Sequence, residues 1–236
     1  MQTAPTSQID DRLRSAIVGS GFAHAGAAQV KFLADIDEED WRAFAASWND
    51  LGEDRYMADG GRYRRRRHAC LRLTEGEFTP LPPQPHYQSR DHNILNGGIE
   101  RWFKPVSQQV LRGSVLQCLI ALAVANFPLE EGSRFIEVHQ FRIEARTDTP
   151  GLPTPEGMHR DGVDFVMVIL VTRENVREGV TQLVVDGVAG PAFTLSDPME
   201  AVFLDDRRAL HGVTPIIACD PGKTAHRDVL VVTFAS

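Results

Sequence analysis

Cysteine is scarce: this chain has three in 236 residues, Cys70, Cys118 and Cys219, widely separated and with no CxxC pair. An odd, scattered set points away from a disulfide framework and a structural zinc site, and it fits a reducing compartment. Long hydrophobic runs are missing too. The opening "MQTAPTSQIDDRLRS" lacks the apolar core of a secretory signal, and "SVLQCLIALAVANF" is too short to cross a bilayer. Nor is there a surplus of positive charge. The 25 basic and 32 acidic residues leave a formal charge of -7, which argues against a general nucleic-acid binder. The expectation is a cytoplasmic protein with no nucleic-acid or membrane partner.

What is present reads as one globular domain over residues 1–236, with an apolar fraction of 42%. Residues 1 to about 8 are polar and read as frayed. Ile9 to Val18 has the pattern of a short amphipathic helix. "FAHAGAAQVKFL" suggests a strand entering a small-residue turn. In "DIDEEDWRAFAASWNDLG" Trp41, Phe44, Ala45 and Trp48 recur at helical spacing, with Asp35 or Asp37 available as the cap. "VSQQVLRGSVLQCLIALAVANF" is the longest helical pattern. Alternation from Arg67 to Leu73 predicts a strand, and "TPLPPQPHYQ" can only be turn or extended backbone. After about residue 130 the character changes. "SRFIEVHQFRIEA" alternates, and "DFVMVILV", "TQLVVDG", "PAFTLSDP", "EAVFLDD", "GVTPIIACD" and "RDVLVVTF" are short strands separated by turn residues. The predicted class is mainly β: a jelly roll or cupin-like barrel from roughly 131–236, with helices from roughly 1–130 packed on it.

His159 and Asp161 stand two apart at the mouth of an apolar run, so in extended backbone both side chains reach one face. His211 in "LDDRRALHGVTP" offers a third ligand. Two histidines and a carboxylate on one face leave three octahedral positions open, an arrangement that suits non-haem Fe(II). Zinc on the same ligands would suit hydrolysis, and a bland surface pair also fits so short a spacing. Arg227 begins the "RDVLVVTF" strand. Facing inward it could grip a carboxylate with both nitrogens; facing outward it would be a solvated or salt-bridged arginine.

Together, "MHRDGVDFVMVILV", "EGVTQLVVDG", "FTLSDPMEAVFLDDRRALHGVTPI" and "HRDVLVVTF" resemble the 2-oxoglutarate/Fe(II)-dependent dioxygenases of the bacterial L-isoleucine 4-hydroxylase type. That group comprises free amino-acid hydroxylases and biofilm- or stress-associated relatives. The resemblance is strongest from about Phe135 onward and includes "HQFRIEA". It implies a double-stranded β-helix holding Fe(II) through His159, Asp161 and His211, with Arg227 on the distal carboxylate of 2-oxoglutarate. It also implies dioxygen as co-substrate and a small substrate, with a free L-amino acid preferred. A peptide or other metabolite hydroxylase, a non-catalytic metal-binding barrel in stress signalling, and a cupin-like hydrolase or isomerase remain as alternatives.

Gln182 could reach a co-substrate carboxylate, and Asp206 with Arg207 could brace the distal ligand. A free amino acid needs a carboxylate partner and an amine partner, for which Arg142 and Glu144 are the candidates. "HYQSRDHNILNGGIERWF" is expected to form a loop or lid near the cavity, with His86 and His92 as hydrogen-bonding residues. The run Arg62 to Arg67 reads as a solvated strand edge with one or two arginines turned toward anionic substrate groups. Oligomeric state is left open.

Overall fold

A computed structural model describes residues 9–236. The polar first eight residues, read as frayed, lie outside that range. The helices are α1 (Asp11–Ser20), α2 (Ala27–Ala34), α3 (Glu38–Ala46), α4 (Gln108–Leu111) and α5 (Ser114–Asn126). Strands β1 (Phe22–Ala25), β2 (Gly52–Glu53), β3 (Arg64–Thr74), β4 (Glu77–Pro80) and β5 (Arg134–Ala145) precede the second-half strands. Those are β6 (Phe165–Glu174), β7 (Val176–Glu178), β8 (Thr181–Val185), β9 (Val188–Phe193), β10 (Ala201–Asp205), β11 (Ala209–Val213), β12 (Ile216–Ala218) and β13 (Ala225–Ala235).

Local chemistry explains the helix boundaries. Asp10 accepts from the backbone N–H groups of Arg12 and Leu13 to open α1, and Gly21 closes it at φ 74°, a conformation that suits glycine. Asp37, rather than Asp35, caps α3 through the N–H of Asp40. The expected turn after β1 is instead helix α2, because Val30, Leu33 and Ala34 form a buried helical face.

The main sheet runs β1-β10-β6-β13-β5-β3-β2, with β4 on β3; β11-β8-β9 and β12-β7 form smaller sheets. This is the double-stranded β-helix with helices packed outside it. The sequence places most of the β core after residue 130, yet β3 is an interior strand paired along its length with β5. It is not a solvated edge.

The main sheet is buried on both faces, and alternation divides the labour. Phe165, Met167, Ile169 and Val171 of β6, with Leu230, Val232 and Phe234 of β13, pack against the helices. Phe127, just past α5, stacks on Phe165 at 4.8 Å and meets Phe203 and Phe234 edge-on. The intervening residues of the same strands face the smaller sheets. There Arg64 and Arg66 of β3, Glu137, His139 and Phe141 of β5, and Arg227 and Val231 of β13 line a cavity of about 180 Å³.

Candidate active site

At one end of that cavity three donors converge. The ligand atoms of His159, Asp161 and His211 lie within 4.8 Å of one another. His159 and His211 are locked together by a reciprocal backbone pair, His159 N–H to His211 C=O at 3.0 Å and the reverse at 2.9 Å. Between the two imidazoles sits the Asp161 carboxylate: its Oδ1 is 3.7 Å from His159 Nε2 and its Oδ2 is 3.6 Å from His211 Nε2. These gaps are too long for hydrogen bonds. They suit donors sharing one cation, since ligand bonds of about 2.0–2.2 Å meeting near right angles set donors about 3 Å apart. His159 Nδ1 donates to the Gly157 carbonyl at 3.1 Å, which leaves Nε2 free as the ligand atom.

Electrostatics point the same way. Burial opposes its charge, but Asp161 and Glu156 raise His159 to about 9. Burial and the His159 charge push His211 down to about 4. Asp161 is buried too, yet the two imidazoles hold it well below the usual carboxylate range. One carboxylate thus draws positive charge that a divalent ion can supply in place of a proton. The donor set fits Fe(II).

Asp206 fixes the loop that carries the first two ligands. Its carboxylate accepts from the backbone N–H groups of Asp161 at 3.0 Å, Gly162 at 2.8 Å and Val163 at 3.1 Å. Gly162 has φ 82°, and a Cβ there would come within 2.5 Å of the His92 ring. Arg207 does not join this brace; it pairs with Asp205. Arg160, between the ligands, lines a neighbouring groove instead of the cavity.

Arg227 lines the same cavity, 2% exposed, with its Nε unpartnered. The structure does not bring the remaining candidates there. Gln182 is exposed, because Thr181 and Leu183 take the inward positions on β8. Arg142 and Glu144 lie on the opposite face of β5 from His139: Arg142 clasps Asp228 and Glu144 pairs with Arg65. Both border a separate surface depression.

Other groups occupy the cavity wall. His68 and His86 each donate to Glu137 Oε1, at 2.8 and 3.0 Å. Arg66 donates to His139 Nδ1 at 2.8 Å. These four, His68, His86, Glu137 and His139, also lie close enough to hold a cation. Their hydrogen bonds are already made, His68 and His86 to Glu137 and His139 with Arg66, and Arg64, Arg66 and Arg101 share the wall, so this end favours an anion. The segment from His86 to Arg101 does form a wall of the cavity, and its Gln88 donates to Asp161 Oδ1 at 3.1 Å. Gln88, Arg101, Glu137 and Glu156 carry no recognisable spacing. Only the place of Glu156, three residues before His159, marks it in the sequence.

Glu137 yields a pH prediction. Burial opposes its ionisation, but hydrogen bonds from His68 and His86 bring it down to about 2. A depressed carboxylate stabilises fully above its unfolded value and stops doing so as pH falls through its folded value. Wild type should lose about 2 kcal/mol more unfolding free energy than Glu137→Gln between about pH 5 and pH 3. Urea unfolding at both pH values measures this, and equal losses would remove the role.

Residues 45–233 match the family model described as 2OG-Fe dioxygenase. The chain is 24% identical to the L-isoleucine-4-hydroxylase of Bacillus thuringiensis over 157 residues, covering 64% of this chain and 65% of that protein, just under two thirds of its length. It is 25% identical to the 3(1)-hydroxy-L-isoleucine 4-dioxygenase of Pantoea ananatis, covering 70% and 69% of the two chains. The crystal structure of a bsmA homolog from Methylobium petroleophilum PM1 is 35% identical, covers 98% of this chain and 95% of its own, and superposes with a TM-score of 0.86.

Proposed function

This chain belongs to the 2OG-Fe dioxygenase family, and on that premise we propose that it hydroxylates the aliphatic side chain of a free L-amino acid. What carries the proposal is one small cavity containing the His159–Asp161–His211 donors, a buried guanidinium at Arg227 and a charged wall opposite. Two relatives named for isoleucine-type substrates support the choice of an amino acid.

His159, Asp161 and His211 would hold Fe(II) where they line the cavity. Bound there with 2-oxoglutarate, the metal supplies oxidative decarboxylation to succinate and carbon dioxide, with one atom of dioxygen reaching the substrate as hydroxyl. The chain's own part is positioning and exclusion. Arg227 takes the distal carboxylate of the co-substrate. Val168, Val213, Val229 and Val231 keep water from the reacting centre. Asp206 and the His159–His211 backbone pair stop the ligands from drifting.

Anaerobic loading with Fe(II), then addition of 2-oxoglutarate, dioxygen and a mixture of L-amino acids, is the test. Succinate and a product heavier by one oxygen atom are expected in equal amounts. Succinate without a hydroxylated amino acid would move the substrate to another class of small molecule. No succinate at all would leave a metal-binding barrel without turnover.

A further inference from the structure

Most charges on the cavity wall are already answered. Arg64 Nε donates to Asp54 at 2.7 Å, and an Arg66 nitrogen lies 3.8 Å from the same carboxylate. The Arg66 guanidinium is also held between the rings of Phe103 and Phe141, 3.8 and 4.4 Å from their centres. Glu137 has its two imidazole donors.

Besides Arg227, two groups are not answered among the described residues. Arg101 is 1% exposed and has no carboxylate within 4 Å among the described residues. One of its terminal nitrogens donates to Gln88 Oε1 at 3.0 Å, and its buried Nε has no partner. The Glu156 side chain is 9% exposed: its Oε1 stands 3.6 Å from His159 Nε2, and its buried Oε2 has no partner. Both residues line the cavity, and the Glu156 charge is felt at Arg101 without an ion pair forming. A buried charge left unpaired is costly, so each pole has room and reason for an incoming partner of opposite sign.

The geometry points to Arg101 and Glu156 as the two poles that recognise a free amino acid, the guanidinium taking its α-carboxylate and Glu156 its α-ammonium. This rests on the amino-acid substrate proposed above and names the residues that select it. A substrate held between the two poles lies beside His159, within the cavity that the three donors also line. Gln88 ties the arrangement together, accepting from Arg101 and donating to Asp161 at 3.1 Å.

The test is anaerobic calorimetry on the Fe(II)- and 2-oxoglutarate-loaded protein, with no turnover. The probes are L-isoleucine, L-leucine, L-methionine, isoleucine methyl ester and 3-methylpentanoate. Wild type should bind one of the amino acids and lose at least about 30-fold in affinity when either charge of the isoleucine skeleton is masked. Arg101→Gln should weaken the amino acid at least about 30-fold yet leave the ester unchanged, and Arg101→Lys should fall between. Glu156→Gln should weaken the amino acid but leave 3-methylpentanoate unchanged. Unaltered 2-oxoglutarate affinity reports that each variant is folded. Equal losses for masked and unmasked probes would overturn the clamp while leaving the substrate class standing. A wild type that binds none of the amino acids would overturn the substrate class and the clamp together.

Discussion

Asp161→Ala is expected to abolish coupled turnover and to weaken Fe(II) retention by more than the roughly 10–100-fold that losing an outer hydrogen-bond partner costs. Asp161 places one carboxylate oxygen against each imidazole, at 3.7 and 3.6 Å. Its removal takes away the oxygen donor and the negative charge that both histidines share. Of the three donors only two imidazoles then remain, held by their backbone pair, too few for a hard divalent ion. Iron content after dialysis, followed by an anaerobic Fe(II) titration, measures the loss. A variant that keeps iron as well as wild type would remove Asp161 from the centre.

Asp206→Asn supplies the contrast. It never touches the metal; its carboxylate accepts three backbone N–H groups of the ligand loop. The amide side chain keeps one acceptor oxygen and turns a donor toward amides that already donate. The expected loss is confined to about 10–100-fold and is recovered by excess Fe(II), because the ligands survive and only their placement suffers.

The donor set was carried by the family resemblance, since so short a spacing also fits a bland surface pair: His159 and Asp161 stand two apart with His211 and Arg227 later, and the structure brings all four to one cavity. Most β strands were legible as short runs between turn residues, and the structure places them in the main and smaller sheets. The substrate end was not legible, and β5 shows why. Its apolar residues sit at Ile136 and Val138, then at Phe141 and Ile143, so the apolar phase reverses within one strand. Packing of Ile136 and Val138 on the helices settles the parity and turns Glu137 and His139 inward. That sends Arg142 and Glu144 to the other face. The arginine run hides its function similarly. Arg64 and Arg66 enter the cavity, while Arg65 pairs with Glu144 and Arg67 with Asp50. The run reads in sequence as a solvated edge with one or two arginines turned inward, but the strand is interior. It is interior because Asp54, aromatic rings and the cavity answer the charges that face inward.

Arg227→Met is expected to raise the 2-oxoglutarate requirement by about 10²-fold, equivalent to about 3 kcal/mol, with Fe(II) retention little changed. Arg227 is buried, and its sequence neighbour cannot neutralise it. Asp228 points to the opposite face of β13, where Arg142 holds it by two hydrogen bonds at 2.8 and 2.7 Å. Burial, together with the like charge of Arg173, pushes Arg227 down to about 10, so the guanidinium is still charged at neutral pH and has no carboxylate partner among the described residues. A dicarboxylate with one end at the metal would supply that anion at the other. Arg227→Lys keeps the charge but loses the planar fork, so its loss should be smaller and still measurable. Anaerobic binding of 2-oxoglutarate to the Fe(II)-loaded variants separates the two effects. If Arg227→Met bound 2-oxoglutarate as wild type does, the co-substrate would have to be anchored elsewhere in the cavity. Arg101 would then be the group left to examine, because it shares with Arg227 an unpartnered Nε and deep burial.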